Sequence, residues 1–202
     1  MMWSPKRVAW HLYERLMLRR LDRRIARLRA LGMEIGEDVN LPASTYVDES
    51  HCFLIRIGDH VGLGNDVVIL AHDALMDEFF NATRVGRVVI HPSCHIGART
   101  VILPGVEIGP RTIVGANSTV TRTLPPDTVC AGSPARVLGS LDEFGDRYRA
   151  RIASSRTFPY DSYSIQYLTP ERRAELIAAV QAGDAFIVDG GHRPNPAPKA
   201  RS

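Results

Sequence analysis

From Ile90 onward an aliphatic residue recurs at every sixth position: Ile90, Ile96, Ile102, Ile108, Val114 and Val120. A residue that is mostly small or β-branched sits four places after most of them, at Cys94, Thr100, Val106, Thr112 and Ser118, and glycine follows the aliphatic directly at Gly97, Gly109 and Gly115. The same beat is present upstream at Ile57, Leu63 and Ile69, and before that at Ile35, Leu41 and Val47. A period of six does not keep apolar residues on one helix face, but it supplies one aliphatic to each flat side of a coiled strand. The pattern predicts an all-β solenoid over residues 35–138. Its beat breaks between Ile69 and Ile90. The segment 73–87 inside that break holds Met76, Phe79, Phe80, Asn81 and Arg84. A loop of that length inside a regular coil is usually functional, and its aromatics are suited to walling a pocket or meeting a neighbour.

The flanks have a different pattern. Residues 4–31 read as one helix within an N-terminal segment 1–34: Ser4 caps it, Pro5 takes the first helical position and Gly32 ends it. Val8, Leu12, Leu16, Leu21, Ile25 and Leu28 form its apolar stripe, and Arg7, Arg15, Arg19, Arg20, Arg23, Arg24 and Arg27 its other face. Such a helix either packs on the solenoid or a neighbouring subunit, or makes peripheral contact with an anionic membrane. Residues 139–202 form a C-terminal extension. Ser140 and Glu143 make a capping box that starts a helix at Leu141, and Thr169-Pro170 opens another that ends near Gly183. The aromatic run Tyr160 to Tyr167 is ambiguous, and the Gly/Pro-rich stretch from Gly190 to Ser202 reads as disordered.

Composition adds bounds. A chain of 202 residues is the size of one domain with appendages. A net charge of +3 gives no argument for nucleic-acid binding. No apolar run approaches the ~20 residues that span a bilayer. The arginine-rich start has no signal-peptide apolar core, which predicts a cytoplasmic protein, membrane-associated only through the first helix. Cys52, Cys94 and Cys130 are odd in number and lack paired metal spacing, so they read as reduced thiols.

Three stretches carry a resemblance to a known family: Ile57-Gly-Asp-His-Val through Val68-Ile-Leu-Ala-His72-Asp73; Ile96-Gly-Ala-Arg-Thr-Val-Ile-Leu-Pro-Gly-Val-Glu-Ile-Gly with Val114-Gly-Ala-Asn-Ser-Thr-Val-Thr-Arg122; and Val129-Cys-Ala-Gly-Ser-Pro-Ala-Arg136-Val. Together they resemble the left-handed β-helix, or hexapeptide-repeat, acyltransferases, above all the sugar and polysaccharide O-acetyltransferases. The resemblance covers about half the chain. It implies a left-handed parallel β-helix, three hexads per triangular coil, a homotrimer, acetyl-CoA as acyl donor, a carbohydrate-type acceptor and no metal.

Transfer of an acyl group from a thioester to a hydroxyl needs a general base, and histidine suits that role at neutral pH. His72 stands where regular coil gives way to the long segment, and it matches the family's catalytic position. The bland alternative is a hydrogen-bonded structural histidine at a solenoid corner. Asp73, Asn65, Asp48 and Arg84 are candidate acceptor contacts, although Asp73 and His72, as neighbours in extended chain, point to opposite sides. On the cofactor side the resemblance implicates Gly97, Ala98, Gly115, Ala116, Ala131 and Gly132 along the pantetheine arm. It places Thr121, Arg122 and Arg136 for the phosphates, which arginine grips well. A backbone N–H near Gly97 or Ala98 would hold the tetrahedral oxyanion. A covalent route through Cys94 or Cys130 has no evident Cys–His setting. Two rival classes stay open: a γ-carbonic-anhydrase-like zinc enzyme using His72, His91 and His95, and a non-catalytic scaffold.

Overall fold

The computed structural model describes residues 5–189. They group into two compact units, one of residues 18–142 and one of residues 5–17 with 143–189.

The larger unit is built from three sheets. The first contains Glu34–Ile35, Ile55–Ile57, Val88–Ile90 and Glu107–Ile108. The second contains Gly62–Leu63, His95–Ile96, Ile113–Val114, Thr128–Ala131 and Arg136–Ser140, with Asn40 bridged to Gly62. The third contains Tyr46–Val47, Val68–Ile69, Val101–Ile102 and Thr119–Val120. The chain visits first, second and third sheet in rotation. All pairings within them are parallel except the last, where Arg136–Ser140 turns back against Thr128–Ala131.

The six-residue beat accounts for this directly. Ile90, Ile96, Ile102, Ile108, Val114 and Val120 are all 2% exposed or less, as are Cys94, Thr100, Val106, Thr112 and Ser118 four places after them. Each buried aliphatic contributes roughly 1.5–3 kcal/mol. The hydroxyls at the second set would cost stability if left unbonded, and they are matched: Thr100 donates to the Gly115 carbonyl at 3.2 Å, Thr112 to Pro125 at 2.8 Å, and Ser118 to Gly115 at 2.6 Å.

The third place after most inward aliphatics turns the corner. Asp38, His60, Asp66, Ser93, Arg99, Arg111, Asn117 and Asp127 all have φ between 52° and 60° there. Non-glycine residues adopt this left-handed region at a cost of roughly 1–2 kcal/mol. Hydrogen bonds between coils offset it, as where Arg99 N–H donates to Asn65 C=O at 2.8 Å and Asn117 N–H to Ala98 C=O at 2.8 Å.

The glycine after the aliphatic answers to coil stacking. A Cβ on Gly109 would stand 2.5 Å from Pro126 N and 2.8 Å from the Pro125 carbonyl carbon. Gly109→Ala is therefore expected to lower unfolding stability by about 1–3 kcal/mol, the usual cost of overpacking, read from the midpoint of urea unfolding. An unchanged midpoint would mean that the coils can part at no cost.

The beat breaks twice, not once. Val47 and Ile57 are ten residues apart, and the gap is filled by 3-10 turns over Glu49–Leu54 that kink at His51, whose φ is −127° and ψ 23°. The second break is a hairpin in which His72–Asp73 pairs antiparallel with Arg84–Val85, with a short helix Asp77–Phe80 at its tip. Both breaks follow the third sheet, so they sit on the same turn of adjacent coils.

A helix, Pro5–Ala30, enters this unit and stops at Gly32, whose φ is +94°. Gly32 N–H bonds to Arg29 C=O and Met33 N–H to Leu28 C=O, the Schellman arrangement. Leu28 is buried in the core, with Leu21 and Ile25 packed against it, while Leu16 is half exposed. Two of the arginines expected on a solvated face are spent on the coils: Arg24 donates to the Pro42 and Thr45 carbonyls and Arg27 pairs with Glu49. Arg19, Arg20 and Arg23 remain exposed. Ser4, the expected cap, and the side chains of Arg7, Val8, Leu12 and Arg15 lie outside the described residues.

In the smaller unit a helix, Leu141–Ala153, follows Ser140 directly. The strand Arg156–Pro159 pairs parallel with Ala185–Val188, burying Phe158. These strands have no counterpart in the sequence reading. The aromatic run becomes a short helix, Tyr160–Tyr163, and a 3-10 turn, Ile165–Tyr167. Thr169 caps Pro170–Val180 by accepting from Arg172 N–H at 3.3 Å. The expected tail from Gly190 lies outside the described residues. Among the described residues no helix is long and apolar enough to cross a membrane.

Candidate functional site

The two interruptions bring one buried carboxylate under one histidine. Asp48 leaves the third sheet of the first coil and is 1% exposed. His72 leaves the same sheet one coil later. Asp48 Oδ2 accepts from His72 Nδ1 at 2.5 Å, from the His72 backbone N–H at 3.0 Å and from Ala71 N–H at 3.2 Å. Oδ1 accepts from the Ser50 hydroxyl at 2.6 Å. Burial alone would push this carboxyl up, but the hydrogen bonds from Ser50, His72 and Ala71 outweigh it and hold Asp48 below the ordinary aspartate value. An ionised Asp48 is acceptor-only, so the proton between it and His72 lies on Nδ1, and in the neutral ring Nε2 is the acceptor. The His72 side chain is about a third exposed.

Asp48 therefore does not face an acceptor as expected; both of its oxygens are occupied beneath His72. Ser50 and His51 were not singled out from the sequence. Ser50 Oγ also lies 2.9 Å from His51 Nδ1, and the His51 ring sits 4.5 Å from the His72 ring, centroid to centroid. The signal for them was the ten-residue interval from Val47 to Ile57, which holds Asp48, Glu49, Ser50 and His51.

The remaining acceptor candidates scatter. Asp73 Oδ1 accepts from Leu75 N–H at 2.9 Å inside the hairpin. Arg84 anchors the hairpin to the next coil by donating to Pro104 C=O at 2.8 Å. Asn65 is exposed on a different turn, from the second sheet to the third. The hairpin tip carries Leu75, Met76, Phe79 and Phe80, each more than half exposed.

The cofactor-side residues fall mostly into one column. Gly97-Ala98, Gly115-Ala116 and Ala131-Gly132 occupy the turn after the second sheet in successive coils. A Cβ on Gly97 would stand 2.3 Å from Ala116 N, and one on Gly115 2.9 Å from Ala131 Cβ. Glycine at 97 and 115 is thus required by coil stacking, rather than only by the approach of a ligand. Arg136 pairs in register with Ala131 at the top of this column. Thr121 and Arg122 are exposed but leave the third sheet, so they stand on the histidine's side of the coil and not in the column. Gly97 N–H is taken up by Val114 C=O at 2.7 Å. Of the two oxyanion candidates this leaves Ala98.

The rival chemistries find less. His91 follows the first sheet, beside Glu107, and His95 lies on the second, so they and His72 stand on separate faces. The one group of possible metal ligands among the described residues is Asp48, His51 and His72. Two ligands of a tetrahedral zinc stand roughly 3.3 Å apart given ~2.0 Å metal bonds. The 2.5 Å contact between Asp48 Oδ2 and His72 Nδ1 is instead that of a hydrogen bond. Cys52, Cys94 and Cys130 are all buried and free. Burial pushes the Cys94 thiol up to about 11, so it is protonated at neutral pH. Burial likewise raises Cys52.

A family model described as bacterial transferase hexapeptide (six repeats) matches residues 87–122. The chain is 31% identical over 119 residues to the putative acetyltransferase YvoF of Bacillus subtilis (strain 168), covering 59% of this chain and 67% of that protein. It is 29% identical over 131 residues to WcaF, a putative colanic acid biosynthesis acetyltransferase of Escherichia coli (strain K12), covering 55% of this chain and 71% of the relative. Among solved structures, a maltose O-acetyltransferase from Clostridium difficile 630 superposes with a TM-score of 0.50 at 27% identity, over 59% of this chain and 75% of that one.

Proposed function

Because the chain belongs to the hexapeptide-repeat acetyltransferases, we propose that it is a left-handed β-helix enzyme moving an acetyl group from acetyl-CoA to a hydroxyl of a carbohydrate-type acceptor. The observation that carries the reading is the ionised Asp48 on His72 Nδ1, 2.5 Å away, beneath a partly exposed ring. In the reaction His72 Nε2 takes the acceptor's hydroxyl proton while its oxygen attacks the thioester carbonyl. Asp48 holds the ring in the tautomer that leaves Nε2 free and stabilises the imidazolium that forms. The tetrahedral oxyanion is held by a backbone N–H, for which Ala98 is the candidate. Collapse breaks the carbon–sulfur bond, and the departing thiolate takes the proton back from His72. The donor lies along the column of small residues, with Arg136 at its phosphates.

Base and column stand on different turns of one chain, which supports a homotrimer in which His72 of one subunit faces the column, and Asn65, of the next. Sedimentation is expected to give the mass of three chains. Titration calorimetry is expected to show coenzyme A binding that weakens about tenfold in Arg136→Ala, as for the loss of a charge-assisted hydrogen bond. A monomer that binds coenzyme A would overturn the shared site, and unchanged binding in the variant would remove Arg136 from it. The catalytic test is thiol release from acetyl-CoA that depends on an added sugar.

A further inference from the structure

We propose that His51 is a second acceptor-contacting residue, set beside His72 by Ser50 and Asp48, and that the acceptor is a polyol with two adjacent hydroxyl groups. This rests on the reading of His72 as the base.

The argument starts from one proton. The Ser50 hydroxyl has a single hydrogen and is 2.6 Å from Asp48 Oδ1. An ionised carboxylate can only accept, so that hydrogen goes to Asp48. Ser50 Oγ is also 2.9 Å from His51 Nδ1. With its hydrogen committed, Ser50 can only accept there, and His51 Nδ1 carries the proton. The hydrogen bond made by one ring nitrogen decides the state of the other. In the neutral ring His51 then has Nε2 as its acceptor, as His72 does. One carboxylate orients both rings, His72 directly and His51 through a hydroxyl.

The rings are in contact, 4.5 Å between centroids with planes 37° apart. Their side chains are equally accessible, 31% for His51 and 32% for His72. The Nδ1 of each is bonded to the protein, and about a third of each side chain is left accessible. Two acceptor nitrogens on rings in contact complement two neighbouring donors, and adjacent hydroxyls on one sugar ring supply that pair. The hydroxyl at His72 reacts. The one at His51 donates a hydrogen bond and fixes which of the two is acetylated.

The test uses the full-length protein with methyl hexopyranosides of gluco, galacto and manno configuration, and with monodeoxy analogues lacking the hydroxyl beside the one acetylated. His51→Ala is expected to raise KM for the diol about tenfold, the upper range for one net hydrogen bond, with kcat and its pH profile little changed. Wild type should lose a similar factor on the deoxy analogue, the variant should lose nothing further on it, and His51→Gln should recover part of the loss. An equal loss on both acceptors, or a fall in kcat with a displaced pH profile, overturns the proposal. A readout independent of turnover is the long-range proton–nitrogen NMR spectrum of the imidazoles. The diol should move the Nε2 signals of both His51 and His72, and the deoxy analogue that of His72 alone. Sugars that move His72 alone, or neither ring, overturn the His51 contact. Absence of thiol release with every acceptor tells instead against the acetyltransferase reading.

Discussion

His72→Ala is expected to lower sugar-dependent thiol release from acetyl-CoA by a hundredfold or more, within the ~10²–10⁴ range of general-base contributions. The loss should fall on kcat, because the donor column stands on another turn of the chain and keeps its contacts. The alternative nucleophiles give no rescue, since Cys94 is buried and its thiol is pushed up to about 11. Removing the ring also takes one donor from the buried Asp48, while Ser50 and the N–H groups of Ala71 and residue 72 remain. His72→Gln, which keeps a polar group over the carboxylate, should lose comparable activity with a smaller loss of stability. Release within threefold of wild type in both variants would remove His72 from the reaction.

How much of this was legible depends on the range of the interactions. The inward positions from Ile90 to Val120 are local and periodic, so the beat names them and the burial agrees residue by residue. The small-residue column is nearly as legible, because a regular coil converts a fixed sequence interval into lateral stacking. The cause assigned to it was incomplete. Gly97 and Gly115 are glycines because a side chain would strike the coil above, a constraint that holds with or without a cofactor. Asp48 was the least legible. It was expected at the acceptor, yet it lies under a histidine 24 residues away. Seeing that required knowing that two interruptions of unequal length leave the coil at the same turn. The first is inconspicuous because Ile57 resumes the beat after ten residues, and Ser50 and His51 lie inside it. Thr121 and Arg122 follow the third sheet rather than the second, and their place on the histidine's side of the coil is not legible from the sequence interval alone.

Asp48→Asn should separate the ring's placement from its electrostatics. The four hydrogen bonds to Asp48 all bring a donor to a carboxylate oxygen. An amide in the same volume offers one oxygen and one NH2. With the oxygen toward His72, the ring stays in place but loses the negative charge that stabilises it as an imidazolium. With the NH2 toward His72, donor meets donor and the ring must turn or change tautomer. Either arrangement is expected to lower kcat about a hundredfold or more. Stability should fall by about 1–3 kcal/mol, the cost of mispairing buried polar groups. The pH dependence has a definite sign. Asp48 is held below the ordinary aspartate value in the folded protein. Its contribution is complete above that ordinary value, near ~3.9, and is lost as the pH falls through the lower folded value. The carboxylate's own share of the stability gap between wild type and Asp48→Asn should therefore be present at neutral pH and close below about pH 4. Urea midpoints across that range measure it. A variant with wild-type kcat and no gap at neutral pH would show that the 2.5 Å contact neither orients the base nor holds the turn, and the mechanism would need another partner for His72.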